Sequence, residues 1–372
     1  PGAWHASVGV HIAFQDSTPM ILIVGDVARN VRDREAFQEI DFKSFFGPIS
    51  KWVAEINDPD RVPEYINRAF SLATSGRPGP VVLVTPEDML SQITKVQVRS
   101  FSPIIKSEMS SKGLNALVEK LDKSKNPLFI IGGSGWTNKS ISNFHKFIDE
   151  NNIPVTTSFR RQDLFDHRND KFVGSFGTSV SPKLIGSVTR SDLIIVLGAR
   201  LGEMTTQGYS IISPQDKSKN MIHIHVDPNE LNKVYNAEIC VHVGVAECCD
   251  KLKDLDLQNS GRWQAWRKQL RENYLEDIKP PKSKNFNNLS KIFELVEKKL
   301  PENSIVTLDA GNNAAWPQRF LSYGRSRRQI ATTCGAMGYA IPAAVSSALL
   351  SPKKTVLCCV GDGGFMMSSQ EI

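Results

Sequence analysis

The last stretch, residues 355–372, TVLCCVGDGGFMMSSQEI, constrains this chain most. An apolar run from Val356 to Val360 ends in Gly361-Asp362-Gly363-Gly364, and Ser368 to Glu371 reads as the start of a helix. Strand, glycine turn and helix are the grammar of an open α/β sheet, which binds ligands outside the carboxyl ends of its strands. Glycines let a ligand approach the backbone, and helix N-termini attract phosphate. An Asp among them suits magnesium, which takes few protein oxygens and shares substrate phosphates. Asp-Gly is also the commonest hairpin signal, so these residues alone leave a plain surface turn equally open.

The rest of the chain repeats this grammar. A small-residue helix is expected over 3–14 and an apolar strand over 20–24, ending in Gly25-Asp26. A helix over 63–75 leads through Gly76-Arg77-Pro78-Gly79-Pro80 into a strand over 81–84. Continuous apolar strands suit a parallel sheet covered on both faces. Residues 91–112 are polar and irregular and read as a linker. Further strands are expected at 128–131, 154–157, 193–197 and 221–226, the first running into Gly132-Gly133-Ser134-Gly135 and a helix over 140–150. This glycine turn lacks the full dinucleotide spacing. A charged helix over 261–278 precedes Lys279-Pro280-Pro281-Lys282, the clearest linker, and strands follow at 305–308, 329–332 and 355–360.

The expected architecture is therefore α/β, with three doubly wound parallel-sheet domains. Their expected bounds are 1–97, 110–258 and 287–372, with a linker helix over 259–286. A weak internal repeat joins the ends: Val24-Gly25-Asp26 and Val360-Gly361-Asp362 each follow a small-residue helix and an apolar strand.

Composition is that of an ordinary globular chain, 40% hydrophobic and 23% charged. Its net charge of +6 is spread out, which argues against a nucleic-acid partner. No apolar run approaches the ~18 residues of a membrane span. The six cysteines form no Cys-x-x-Cys pair, as expected of a reducing, cytoplasmic compartment. His223 and His225 share a strand face without a third ligand at a convincing spacing, which favours packing over a metal site.

Several segments, in order along the chain, resemble the thiamine diphosphate-dependent enzymes of the acetolactate synthase type. They are Phe14-Gln15-Asp16-Ser17-Thr18-Pro19, Ala36-Phe37-Gln38-Glu39, Ser75-Gly76-Arg77-Pro78-Gly79-Pro80-Val81, Gly335-Ala336-Met337-Gly338-Tyr339-Ala340-Ile341-Pro342-Ala343-Ala344 and Gly361-Asp362-Gly363. The resemblance implies a pyrimidine-binding domain, a Rossmann-like central domain and a diphosphate-binding domain. It implies active sites between two copies of the chain, in a homodimer or homotetramer. The implied reaction adds a 2-keto acid to the cofactor and releases CO2, followed by carboligation or protonation.

The resemblance also implies roles. Asp362 would ligate magnesium, and Gly361, Gly363 and Gly364 would open the backbone to the diphosphate. Gly311 and Asn312 would lie beside it. Met337, flanked by Gly335 and Gly338, would be the apolar wedge under the cofactor. Pro1, Gly2 and His5 would cover the aminopyrimidine. Phe37, Gln38 and Lys51 would serve catalysis at the substrate mouth, although a solvated loop lysine suits Lys51 nearly as well. The family's glutamate would precede Pro1-Gly2 by roughly 30 residues, and a second magnesium ligand, an Asn, would follow Ile372. The 372 residues are accordingly expected to be part of a longer chain and not to turn over alone.

There are departures. Asn312-Asn313-Ala314 stands where the family has Gln-His-Gln, Gly25-Asp26-Val27 where it has Gly-Gln-Val, and Gly198-Ala199-Arg200-Leu201-Gly202-Glu203 where flavin-containing members have an Arg-Phe-Asp-Asp run. These tell against acetolactate as product and against FAD. The central domain could instead hold ADP, with Asp227 on a ribose, or stay empty. A lyase for aryl or acyl-CoA 2-keto acids, and a non-catalytic nucleotide-binding regulatory protein, are the alternatives.

Overall fold

A computed structural model describes all residues except 99–101, 103, 216–219, 259 and 282–287. Parts of both expected linkers, within 91–112 and 279–282, lie outside the described residues. The chain forms two compact units, Pro1–Ile105 and Lys106–Ile372.

The first unit holds a three-stranded parallel sheet, order β1-β3-β2, made of β1 (Met20–Asp26), β2 (Trp52–Glu55) and β3 (Pro80–Pro86). The central strand, PVVLVTP, is buried along its whole length. Fully burying one Val or Leu stabilises by roughly 1.5–3 kcal/mol, so this strand anchors the unit. Helix α1 (Ser7–Asp16) ends on a left-handed Ser17, and α2 (Val62–Thr74) buries Ala69 and Ala73 against the sheet. Arg77 donates to Phe14 O at 2.6 Å and to Ser17 Oγ at 2.9 Å, which ties the Gly76–Pro80 turn to the end of α1.

The second unit holds two parallel sheets. The six-stranded one comprises β4 (Pro127–Ile131), β5 (Val155–Thr157), β6 (Phe172–Ser175), β7 (Leu193–Leu197), β8 (Asn220–His225) and β9 (Ile239–His242). Its order, β6-β5-β4-β7-β8-β9, is that of a doubly wound nucleotide-binding sheet with its switch point between β4 and β7. Helix α3 (Asn138–Asn151) covers one face and α4 (Pro182–Arg190) the other. The charged helix α5 (Gln264–Asp277) packs on β6 and α4. Just before it Trp263 is fully buried, with its indole N–H on Ser124 O at 3.0 Å, and Trp266 donates to Pro127 O at 3.0 Å.

The three-stranded sheet has the order β11-β10-β12, from β10 (Ile305–Leu308), β11 (Arg328–Ala331) and β12 (Val356–Cys359). Helix α6 (Ala340–Leu350) packs on β10 and β12. A polar seam joins the two sheets: half-exposed Arg328 pairs with buried Asp163 at 2.6 Å, Gln329 donates to Gln162 at 2.7 Å, and Arg160 donates to Asp309 O at 2.9 Å.

The final helix departs from expectation. α7 spans Asp362–Ser368, followed by a 3-10 turn over Ser369–Glu371, so it begins six residues before Ser368. Two glycines hide it, since Gly is the weakest helix former after Pro. Here Gly364 is buried in the first turn, and packing overrides propensity.

Candidate functional site

In the second unit, three loops meet at the carboxyl end of the β11-β10-β12 sheet. The loop after β10 carries Asp309, Gly311, Asn312 and Asn313. The loop after β11 carries Gly335, Met337 and Gly338, and the corner after β12 carries Gly361 to Gly364. Asn313 joins two of them: with its amide turned so that both ends are satisfied, it donates to Ala310 O at 3.0 Å and accepts from Gly361 N at 3.2 Å. Gly311 has φ +108, Gly335 φ +71 and Gly338 φ +81, backbone that side chains rarely adopt.

The carboxylate of Asp362 is exposed at the first position of α7 and makes no hydrogen bond or ion pair among the described residues. A carboxylate left free where three glycine loops converge can hold a divalent cation. The glycines of this corner divide by role. A Cβ on Gly364 would stand 2.6 Å from Asp309 Oδ2, so this glycine serves packing. A Cβ on Gly363 would stand 3.0 Å from Met337 Cε, which places the half-exposed Met337 across the first turn of α7. Around Gly335 there is open space. Exposed Gly311 and Asn312, open Gly335 and exposed Asp362 therefore fit a diphosphate held through a metal ion.

Asp309 escapes a sequence reading made from glycine motifs. It follows the buried strand Ile305–Leu308, but Ala310 separates it from Gly311, so no glycine-flanked motif marks it.

In the first unit, a cleft of about 1050 Å³ opens along β1 and its carboxyl end. Pro1, Gly2, Phe37 and Gln38 line it together with Gly25 and Asp26. Phe37 is 87% exposed. Asp33, Glu35 and Gln38 all have left-handed φ, near +61, +55 and +70. Glu39 holds this contorted loop by accepting from Asp33 N at 2.7 Å and Ala36 N at 2.9 Å, and these bonds lower its pKa. His5 is exposed at the end of a short helix, Gly2–His5, and is not in the cleft lining. Lys51 is not brought to the cleft. It precedes β2 at the opposite end of the sheet, donating from its backbone to Pro80 O at 2.7 Å and from Nζ to Ser75 O at 2.6 Å.

At the switch point of the six-stranded sheet, glycines serve loop packing. A Cβ on Gly133 would stand 1.9 Å from Gly198 O, and one on Gly132 would stand 1.9 Å from Ser158 Oγ. Thr137 and Ser140 form a capping box on the start of α3. Asp227 accepts from Asn229 N at 3.0 Å, capping its own turn. His223 meets Ala199 O at 2.9 Å and His225 accepts from Asp227 N at 3.1 Å; burial lowers both pKa values. No group of three metal-ligating side chains occurs among the described residues.

Models of the thiamine pyrophosphate enzyme N-terminal TPP binding domain, central domain and C-terminal TPP binding domain match residues 1–45, 114–252 and 309–372. This chain belongs to the thiamine pyrophosphate enzyme family. It is 28% identical over 388 residues to an acetolactate synthase large subunit of Buchnera aphidicola subsp. Schizaphis graminum, covering 100% of this chain and 66% of that protein. It is 28% identical over 394 residues to a probable acetolactate synthase large subunit of Methanocaldococcus jannaschii, covering 65% of it. For acetolactate synthase isozyme 3 large subunit of Escherichia coli the identity is 26% over 397 residues, with 67% covered. The chain thus spans about 66% of the length of the first of these relatives. The three-loop junction, from Asp309 to Gly364, falls wholly within the C-terminal TPP binding match of this thiamine pyrophosphate enzyme family member. No helix among the described residues is long and apolar enough to cross a membrane.

Proposed function

We propose that the protein carrying this chain is a thiamine diphosphate- and magnesium-dependent carboligase or decarboxylase of 2-keto acids, similar to acetolactate synthase. The observation that supports it most is Asp362, exposed and unpaired where three glycine-bearing loops of a TPP-binding domain meet. When bound, thiamine diphosphate supplies a nucleophilic carbon and an electron sink for decarboxylation. Asp362 holds the magnesium ion that fastens the diphosphate. Gly311, Asn312, Gly335, Gly361 and Gly363 give the diphosphate access to backbone, with Gly364 as the packed floor. Met337 lies across the turn as the apolar support of the thiazolium.

In the first unit, Pro1, Gly2 and His5 flank the aminopyrimidine, and Phe37 and Gln38 present an apolar face and an amide to the keto acid. Lys51 belongs to this proposal only as a more distant charge, since its ammonium is used on Ser75 O. The assembled enzyme is a homodimer or homotetramer in the cytoplasm.

The test is titration with thiamine diphosphate, with and without magnesium, followed by CO2 release across a panel of 2-keto acids. The expected result is magnesium-dependent binding and consumption of at least one 2-keto acid. A protein that carries this sequence and consumes none of them refutes the proposal.

A further inference from the structure

Asp309 has 1% exposure, lies outside the residues given roles above, and is used entirely on backbone. Its Oδ1 accepts from Ala310 N at 2.6 Å, and Gly338 N points between Oδ1 at 3.1 Å and Oδ2 at 3.0 Å. The same Oδ2 rests on Gly364, where a Cβ would come within 2.6 Å. The other side of the Gly338 peptide is also fixed, because Ser368 Oγ donates to Gly338 O at 2.8 Å. A carboxylate removed from water is costly unless backbone N–H groups replace its hydration, so this arrangement is specific.

We propose that Asp309 is a positioning residue for the cofactor site. It ties the loop after β11 to the end of β10 and to the first turn of α7, and so sets Met337 against Gly363. The inference rests on the thiamine diphosphate reading above. Gly338 needs its left-handed φ of +81 to turn its N–H toward this carboxylate, and Gly364 needs to lack a Cβ to let the carboxylate lie flat on the helix. The two glycines and Asp309 form one device, in which a single anion aligns two loops and a helix.

The experiment compares the unsubstituted protein with Asp309→Asn, Asp309→Ala and Ser368→Ala. Thiamine diphosphate affinity is measured by calorimetry in magnesium, and backbone hydrogen exchange is measured without cofactor. Asp309→Asn retains one acceptor and is expected to weaken binding about tenfold; Asp309→Ala about a hundredfold; Ser368→Ala, which keeps the carboxylate, only a few-fold. In both Asp309 variants the Gly338 amide is expected to lose protection while the β10 amides keep theirs, and in Ser368→Ala it is expected to keep most of its protection. Affinity within twofold of the unsubstituted protein in Asp309→Asn overturns the inference. So does uniform acceleration of exchange across β10 to β12 in both Asp309→Asn and Ser368→Ala, which marks general loosening. An unsubstituted protein that binds no thiamine diphosphate overturns the proposed function and this inference with it, and that failure shows before any residue is changed.

Discussion

The chain writes Val-Gly-Asp twice, and the two corners differ. Val24-Gly25-Asp26 and Val360-Gly361-Asp362 both close an edge strand of a three-stranded parallel sheet. In the first corner Asp26 accepts from Val27 N at 2.9 Å and pairs with Arg32 at 2.8 Å, and Arg32 also holds Glu55. Its side chain is only 8% exposed. In the second corner Asp362 is exposed, with no such cation beside it among the described residues. The tripeptide therefore specifies the turn, and the neighbours decide what its carboxylate does. Where Arg32 neutralises it, the corner is scaffold. Where three glycine loops leave it open, the corner can take a cation.

The comparison can be broken by experiment. The largest effect is expected from Asp362→Ala, which should weaken magnesium-dependent thiamine diphosphate binding by at least about a hundredfold in calorimetry. Next, Arg32→Leu strands Asp26 and Glu55 without their shared cation, and should lower unfolding free energy in urea by about 2 kcal/mol. Asp26→Asn leaves Arg32 with Glu55, and should cost about 1 kcal/mol in the same measurement, with cofactor affinity unchanged. Smallest of all, Asp362→Asn should shift the cofactor-free unfolding free energy by no more than about 0.5 kcal/mol, because the carboxylate has no partner to lose. Should Asp26→Asn abolish cofactor binding while Asp362→Ala spares it, the roles given to the two corners are reversed.

Much of the fold is legible in the sequence because its central strands are buried on both faces. β3, β4 and β7 are continuous apolar runs, and their spans are close to those expected. Strands with mixed surroundings are not legible in this way. β2, Trp-Val-Ala-Glu, ends in a charge held by Arg32, and β9, Ile-Cys-Val-His, is an edge strand exposed at alternate residues. Neither shows a run long enough to separate from a loop. At the candidate site, Asp362 and the glycines could be named from the motif. Asp309, Asn313 and Ser368 could not, since each acts through a contact with residues far along the chain. Lys51 shows the reverse: its place in the motif order says nothing of which end of the sheet it occupies.

Arg160 carries a consequence beyond its own hydrogen bond. It follows β5, lies in left-handed backbone at φ +62, and ends on the carbonyl of the residue whose carboxylate grips Gly338. Ser158, two residues earlier, is wedged beside Gly132 at the switch point of the six-stranded sheet. The β5 corner is thus a strut with one foot in each sheet. A push that spreads the crevice between β4 and β7 has a short mechanical route, through Ser158, Arg160 and Asp309, to the support under Met337.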